Sequence, residues 1–410
     1  MALKLLVTGG LIVAGLALHF TGRHYLLKRL PSATALVPAV QLTTAANYSR
    51  LLNLTKDSLA LLPIGNVTIH TATTSQGVAV LIPQSHRYPG SAPEDVVNNT
   101  AEIAQNQIYQ IIPELINRYN INFIMAEGDS YCEVSSEKID GLAEKITSRE
   151  RFSLAFQELK ESLLQKGYAP ALIEKFSKDA EAVLRKNDRA IILAGAPYKL
   201  KAEGSSFTLF GSENPATVEE GKVLVRDYIY LEDRLNQLQG PMAAFLPPGS
   251  AVQIPQSFDI QSLLSLLKPL TPENALRRAL QSLLVVVNSK GDEKTSQDIT
   301  SIERDLTRLI ESDSVEGGQT PAPSREDNPY MTISDRKALE AKLSETEGKI
   351  TKTVIEKRNQ EAADNFAQAL TERGEKTGIL QYGAGHEEGL VKELQARGLS
   401  VVVITPQAVN

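Results

Sequence analysis

The chain has 410 residues, with 43 Lys and Arg against 49 Asp and Glu, a formal net charge of −6. No basic stretch of the folded region exceeds a few residues, which argues against nucleic acid as a partner. Its single cysteine, Cys132, excludes an internal disulfide and a cysteine-based zinc site, and 42% hydrophobic residues without tryptophan leave Leu, Ile, Val and Ala to pack the core.

At the N-terminus, Leu5 to Phe20 carries no charge and lies between Lys4 and the basic group Arg23, His24, Lys28 and Arg29. As a helix it would span about 24 Å, slightly short of a bilayer core of about 30 Å. Residues 1–30 therefore read as a signal anchor or uncleaved signal, and the protein as membrane-anchored or exported. The heavier positive charge after the segment favours a cytoplasmic domain, whereas a plain signal sequence gives the opposite side.

Residues 31–64 read as a Pro/Ser/Thr/Ala-containing linker. A first α/β half follows over 65–135. Val67–Thr73 alternates as a strand, and Gly77–Ile82 is a short continuous apolar run, the pattern of a buried strand. A polar loop from Gln84 to Gly90 leads to a helix opened by Pro93 and Glu94 and running to about Tyr119. Ile121–Met125 is the next strand, and strand–helix–strand in this order points to a βαβ unit and a parallel sheet. Residues 136–200 read as a helical insertion with breaks near Gly167 and Asn187. An α/β segment over 201–240 has a strand at Ser206–Phe210 and a helix from about 216 to 238. A second helical insertion spans 241–332. It opens on a Pro/Gly-rich loop at 240–257, continues in helices over 258–286 and 295–312, and carries a mobile loop at 313–329. The C-terminal half, 333–410, has a long helix to about 373, a strand at Gly378–Tyr382, a loop ending at His386, a helix, and a last strand at Val401–Thr405. The expected fold class is α/β: a mostly parallel sheet built from the two ends of the chain, with a large helical insertion.

Of five histidines, His19 and His24 belong to the N-terminal segment and His70 lies within a strand. His86 and His386 each leave a strand end into a loop, the edge at which open α/β sheets bind ligands. Neutral imidazole suits general-base or metal-ligand work. Glu127, in Met125-Ala-Glu-Gly-Asp129, follows a buried strand and faces the edge of His86 if the two strands are parallel neighbours; Asp129 fits helix capping better. Glu213 also follows a strand, beside the capping candidate Asn214. Arg358 sits mid-helix, where an arginine is either solvated or an inward anion clamp. A serine elbow, a P-loop and His-Glu-x-x-His are absent, and Gly383–Gly389 misses the dinucleotide fingerprint by one residue.

Gly77–Gly90 as strand–Ser–His–Arg, the helix to Tyr119 and Phe123-Ile-Met-Ala-Glu-Gly128 together resemble the opening of the superfamily that joins erythromycin-esterase-like, ChaN-like, TraB and Tiki proteins. Arg358-Asn359 on a helix, then Gly383-Ala-Gly-His386 before a last helix and strand, are similar to its closing motif. The resemblance covers roughly residues 65–130, 188–215 and 350–405. The second Gly-x-x-His is intact at Gly383 and His386, while the first departs, with Pro83 where glycine is expected before His86. Members of this superfamily include metal-dependent proteases, esterases with a histidine base, and haem binders, so the resemblance implies a site more firmly than a reaction.

Three readings follow. The first is a hydrolase of a small-molecule or peptide substrate. Water is activated by a divalent metal (Mn, Co or Zn on His86, Glu127 and His386) or by a metal-free histidine base. Glu213 is then a supporting acid and Arg358 a stabiliser of developing negative charge. The second is a haem or small-ligand binder, with Tyr88 and Tyr382 beside the two histidines. The third is a membrane-tethered interaction domain whose site has decayed. Nothing in the sequence fixes the oligomeric state.

Overall fold

A computed structural model of the chain describes residues 44–85, 100–239, 271–311 and 328–409. The chain divides after Leu42, and the described residues all belong to the unit Thr43–Asn410. The N-terminal apolar segment, His86 and Tyr88 lie outside the described residues. So do the start of the first long helix, the loop at 240–257, residues 258–270 and most of the loop at 313–329.

The fold is α/β, as expected. Among the described residues its strands are β1 (Ile64–His70), β2 (Gly77–Gln84), β3 (Phe123–Ser130), β4 (Thr208–Glu213), β5 (Thr377–Gly383) and β6 (Leu399–Pro406). They form one sheet in the order β1-β6-β2-β5-β3-β4. β1 runs antiparallel to β6 at one edge, and the other pairings are parallel. Strands β2 and β3 are therefore not neighbours: β5, from the C-terminal part, hydrogen-bonds to both.

Every residue of β2 is buried, which is why it reads as a continuous apolar run rather than an alternation. The alternation survives in what each side chain touches. Val78, Val80 and Ile82 pack with Ile108, Ile111, Ile112 and Leu115 of α2 (Thr100–Tyr119). Ala79 and Leu81 pack on the other face with Phe366 and Leu370 of α10 (Arg358–Arg373), and with Leu390 and Leu394 of α11 (Glu387–Ala396). From β2 the chain crosses to β3 over the first face, and from β5 it crosses to β6 in the other direction over the second. Opposite directions over opposite faces are what a single crossover hand demands. At the C-terminal ends of β2 and β5, the switch point of such an order, a crevice lined by Gln84 and Gln381 opens.

Three sequence expectations change. The linker folds from Thr44: α1 (Thr44–Leu51) and a short turn at Asp57–Leu59 bury Leu51, Leu54 and Leu59 in the α2-side core. Asn187 does not break its helix. α4 (Pro170–Leu193) runs through it because its side chain donates to Val183 O one turn back, at 3.0 Å. The break falls at Gly195, before α5 (Ala196–Ala202); its φ is 121°, and a Cβ there would stand 2.9 Å from the Tyr198 ring. Lastly, β3 continues past Met125, so Glu127 lies within the strand rather than after it.

The helical middle has its own core. α3 (Ser136–Gln165), α4, α7 (Pro272–Ser289) and α8 (Glu293–Glu311) bury Phe152, Phe176, Leu280 and Ile302 together. A second pair, α6 (Pro215–Gln239) and α9 (Arg336–Ile350), meets through Leu231, Leu235 and Leu339. A π-helical segment, Thr351–Lys357, joins α9 to α10.

Candidate functional site

The C-terminal ends of β2, β5, β3 and β4 deliver Gln84, Gln381, Glu127 and Glu213 to one edge. Arg358 enters from the first turn of α10. The π-helical segment before it has one residue more per hydrogen-bonded turn, which rotates α10 relative to an unbroken continuation of α9 and is a common feature of functional sites.

Arg358 bridges the two carboxylates. Its Nη2 donates to Glu127 Oε1 and to Glu213 Oε1, each at 2.7 Å, and its Nε donates to Glu213 Oε2 at 3.0 Å. The side chains are 16%, 7% and 5% exposed for Arg358, Glu127 and Glu213. Burial works against the guanidinium charge, but the hydrogen bond and charge of Glu213, the nearby Tyr382 and the Glu127 charge outweigh it and raise the arginine above its ordinary range. Glu127 Oε2 accepts from Gly383 N–H at 2.7 Å and from Gln84 Nε2 at 3.2 Å. Tyr382 donates to Glu213 Oε1 at 3.1 Å. Burial, then the charges of Glu213 and Glu127, push its phenol well above the usual tyrosine range.

His386 closes a short turn, Ala384–His386, and begins α11. Its Nδ1 lies 2.7 Å from Asn359 Oδ1, and its ring meets Tyr382 edge-on, with centroids 4.9 Å apart. An amide oxygen only accepts, so the imidazole donates from Nδ1 to Asn359. Gly389 makes this contact sterically feasible: a Cβ there would fall 2.1 Å from Asn359 Nδ2.

A cavity of about 380 Å³ opens over this edge, lined among others by Gln84, Gln105, Glu127, Lys138, Arg358 and Gln381. On its rim Asp129 accepts from Lys138 Nζ at 2.8 Å and from Tyr198 OH at 2.8 Å. Asp129 is thus not the cap of the next helix; Ser135 accepts from Lys138 N and fills that position.

Of the residues singled out in the sequence, Glu127, Glu213, Arg358, Tyr382 and His386 come together, and Glu127 and Arg358 line the cavity. His86 and Tyr88 lie outside the described residues. Sequence reasoning missed Gln84, Gln105 and Gln381, and gave Asn359 no task. The signal for Gln84 and Gln381 was a polar residue at the end of an apolar strand.

Of the expected metal set His86, Glu127 and His386, only Glu127 and His386 are among the described residues. Both oxygens of Glu127 are engaged by Arg358, Gly383 and Gln84, whereas a histidine held through Nδ1, as His386 is by Asn359, is of the kind that ligates through Nε2. Among the described residues no three His, Cys, Asp or Glu side chains are grouped to hold a metal ion. Tyr382, expected beside a haem or small ligand, is 1% exposed and donates its hydroxyl to Glu213. Among the described residues no helix is long and apolar enough to cross a membrane.

Fold and site together define an α/β protein with a buried carboxylate–arginine–carboxylate bridge at its sheet edge. Compared with known proteins, the chain matches no family model, no curated protein and no solved structure.

Proposed function

We propose that the protein is a hydrolase that activates water with a histidine base, in the manner of the esterase-like branch of the superfamily its motifs resemble. The observation that carries this reading is the arginine bridge of Glu127 and Glu213 beside a histidine held through Nδ1, at the crevice edge of the sheet. In the reaction, His386 Nε2, or its counterpart His86, takes a proton from water as the water oxygen attacks the substrate carbonyl. The protonated imidazole then returns the proton to the leaving oxygen or nitrogen as its bond to carbon breaks. Arg358 Nη1 donates to none of the described residues. Arg358 lines the cavity, and Nη1 is the donor offered to the developing oxyanion. Glu127 and Glu213 hold the guanidinium in place.

The test is turnover by the full-length protein on a panel of esters, lactones and peptides, before and after chelator treatment. The expected outcome is chelator-insensitive hydrolysis, with His386→Ala lowering kcat by about 10²–10⁴-fold and leaving the circular dichroism spectrum unchanged. A His386→Ala variant with wild-type turnover would exclude the proposed base role.

A further inference from the structure

The floor of the cavity holds three glutamines, Gln84, Gln105 and Gln381, that water activation leaves without a task. They are 8%, 7% and 1% exposed, so their amides must find partners within the protein or in a ligand.

Two fixed ends set the orientation of these amides. Gln84 Nε2 lies 3.2 Å from Glu127 Oε2, an oxygen that only accepts, so the Gln84 carbonyl points away from Glu127. At the other end the Ala196 N–H, which only donates, meets Gln105 Oε1 at 2.8 Å, so the Gln105 nitrogen points back into the cluster. There it donates to Gln84 Oε1 at 2.6 Å. Gln381 then faces two oxygens, Gln84 Oε1 at 2.6 Å and Gln105 Oε1 at 3.1 Å, and must present its nitrogen to both. Flipping it would set oxygen against oxygen twice. Its own Oε1 is therefore turned away, buried, and accepts no hydrogen bond from the described residues.

Each amide nitrogen carries two hydrogens. Gln381 uses both, while Gln84 and Gln105 each use one in the bonds above. The floor therefore keeps one acceptor and two N–H groups unmatched, on residues that line the cavity. We propose that this floor is a recognition subsite for a neutral amide of the substrate. The ligand N–H meets Gln381 Oε1, and the ligand carbonyl meets an N–H of Gln84 or Gln105. A carboxylate would offer no donor to Gln381 and would add to the net negative charge of two glutamates bridged by one arginine. An ammonium group would offer no acceptor to Gln84 or Gln105.

The proposal gives the hydrolytic reading a substrate class and rests on that reading for turnover only. It is tested by titrating the full-length protein with benzamide, benzoate and benzylamine, followed by ligand-observed NMR. Benzamide is expected to bind at least ten-fold more tightly than the other two, and Gln381→Met to weaken it at least ten-fold. Equal binding of benzoate or benzylamine, no benzamide binding, or wild-type binding by a folded Gln381→Met overturns the subsite. Should that variant fail to fold, the preference of the wild-type protein among the three probes decides. Turnover without amide preference removes the subsite alone. Amide binding by a protein that hydrolyses nothing leaves the subsite and removes the hydrolase.

Discussion

Arg358 holds its place by charge. Two carboxylates at 7% and 5% side-chain exposure are tolerable inside the fold because one guanidinium answers both. Removing one partner of a buried ion pair leaves the other charge desolvated, which costs about 3–5 kcal/mol, whereas removing all the charges together is often near neutral. Arg358→Met is therefore expected to lower the unfolding free energy by about 3–5 kcal/mol. The triple variant that adds Glu127→Gln and Glu213→Gln is expected to recover most of that loss, both read from urea denaturation. Equal destabilisation of the two variants would mean that packing of the arginine stem, not charge, is what matters. The sequence marks Arg358 as either a solvated charge or an inward anion clamp and as part of the motif it resembles, but only the three-dimensional approach of β3 and β4 shows that it bridges two carboxylates.

Between elements, the closest tolerance is that of α11 against α10 at Gly389. Alanine is the better helix former by about 1 kcal/mol, so on propensity alone Gly389→Ala should stabilise. The added Cβ would fall 2.1 Å from Asn359 Nδ2, however, and an overpacked contact typically costs about 1–3 kcal/mol. The clash outweighs the propensity, and the helix is fully ordered by its packing in any case. Gly389→Ala is expected to lower the thermal midpoint. It is also expected to disturb the His386 imidazole resonances, because the side chain that must give way is the one that holds Nδ1. A variant with a raised midpoint and unchanged imidazole signals would show that α11 simply slides. The same contrast explains what the sequence reveals about this fold. Continuous apolar runs such as Val78–Ile82 announce buried parallel strands, and the order of elements announces the sheet. The insertion of β5 between β2 and β3 has no local signature, because pairing between segments far apart in the chain depends on long-range closure rather than on periodicity. The glutamine floor was half-visible: Gln84 and Gln381 each stand as a polar residue at the end of an apolar strand, but nothing local joins them to Gln105 until three elements bring them together.

On the scale of the whole molecule, the site links the edge of the sheet to the stability of the fold through its buried phenols. Tyr382 is raised well above the usual range by burial and by the Glu213 and Glu127 charges, and Tyr198 by burial and by Asp129. In the unfolded chain both ionise near pH 10. Below that pH the phenols are protonated in both states and their contribution to stability is fully present. Above it the unfolded chain releases protons that the folded protein retains, so stability falls as pH rises, by about 1.4 kcal/mol per pH unit for each such group. The fall continues until the folded phenol itself ionises. Urea midpoints measured between pH 9 and 11 are expected to be flat at first and to drop beyond about pH 10. Tyr382→Phe is expected to be less stable at pH 9, having lost the bond to Glu213, yet to fall less steeply above pH 10 because one of the two phenols is gone. The two curves should therefore converge at the alkaline end. Parallel curves would mean that Tyr382 ionises in the folded protein at the ordinary pH of a tyrosine, and that the carboxylate pair behind it is more hydrated than its burial implies.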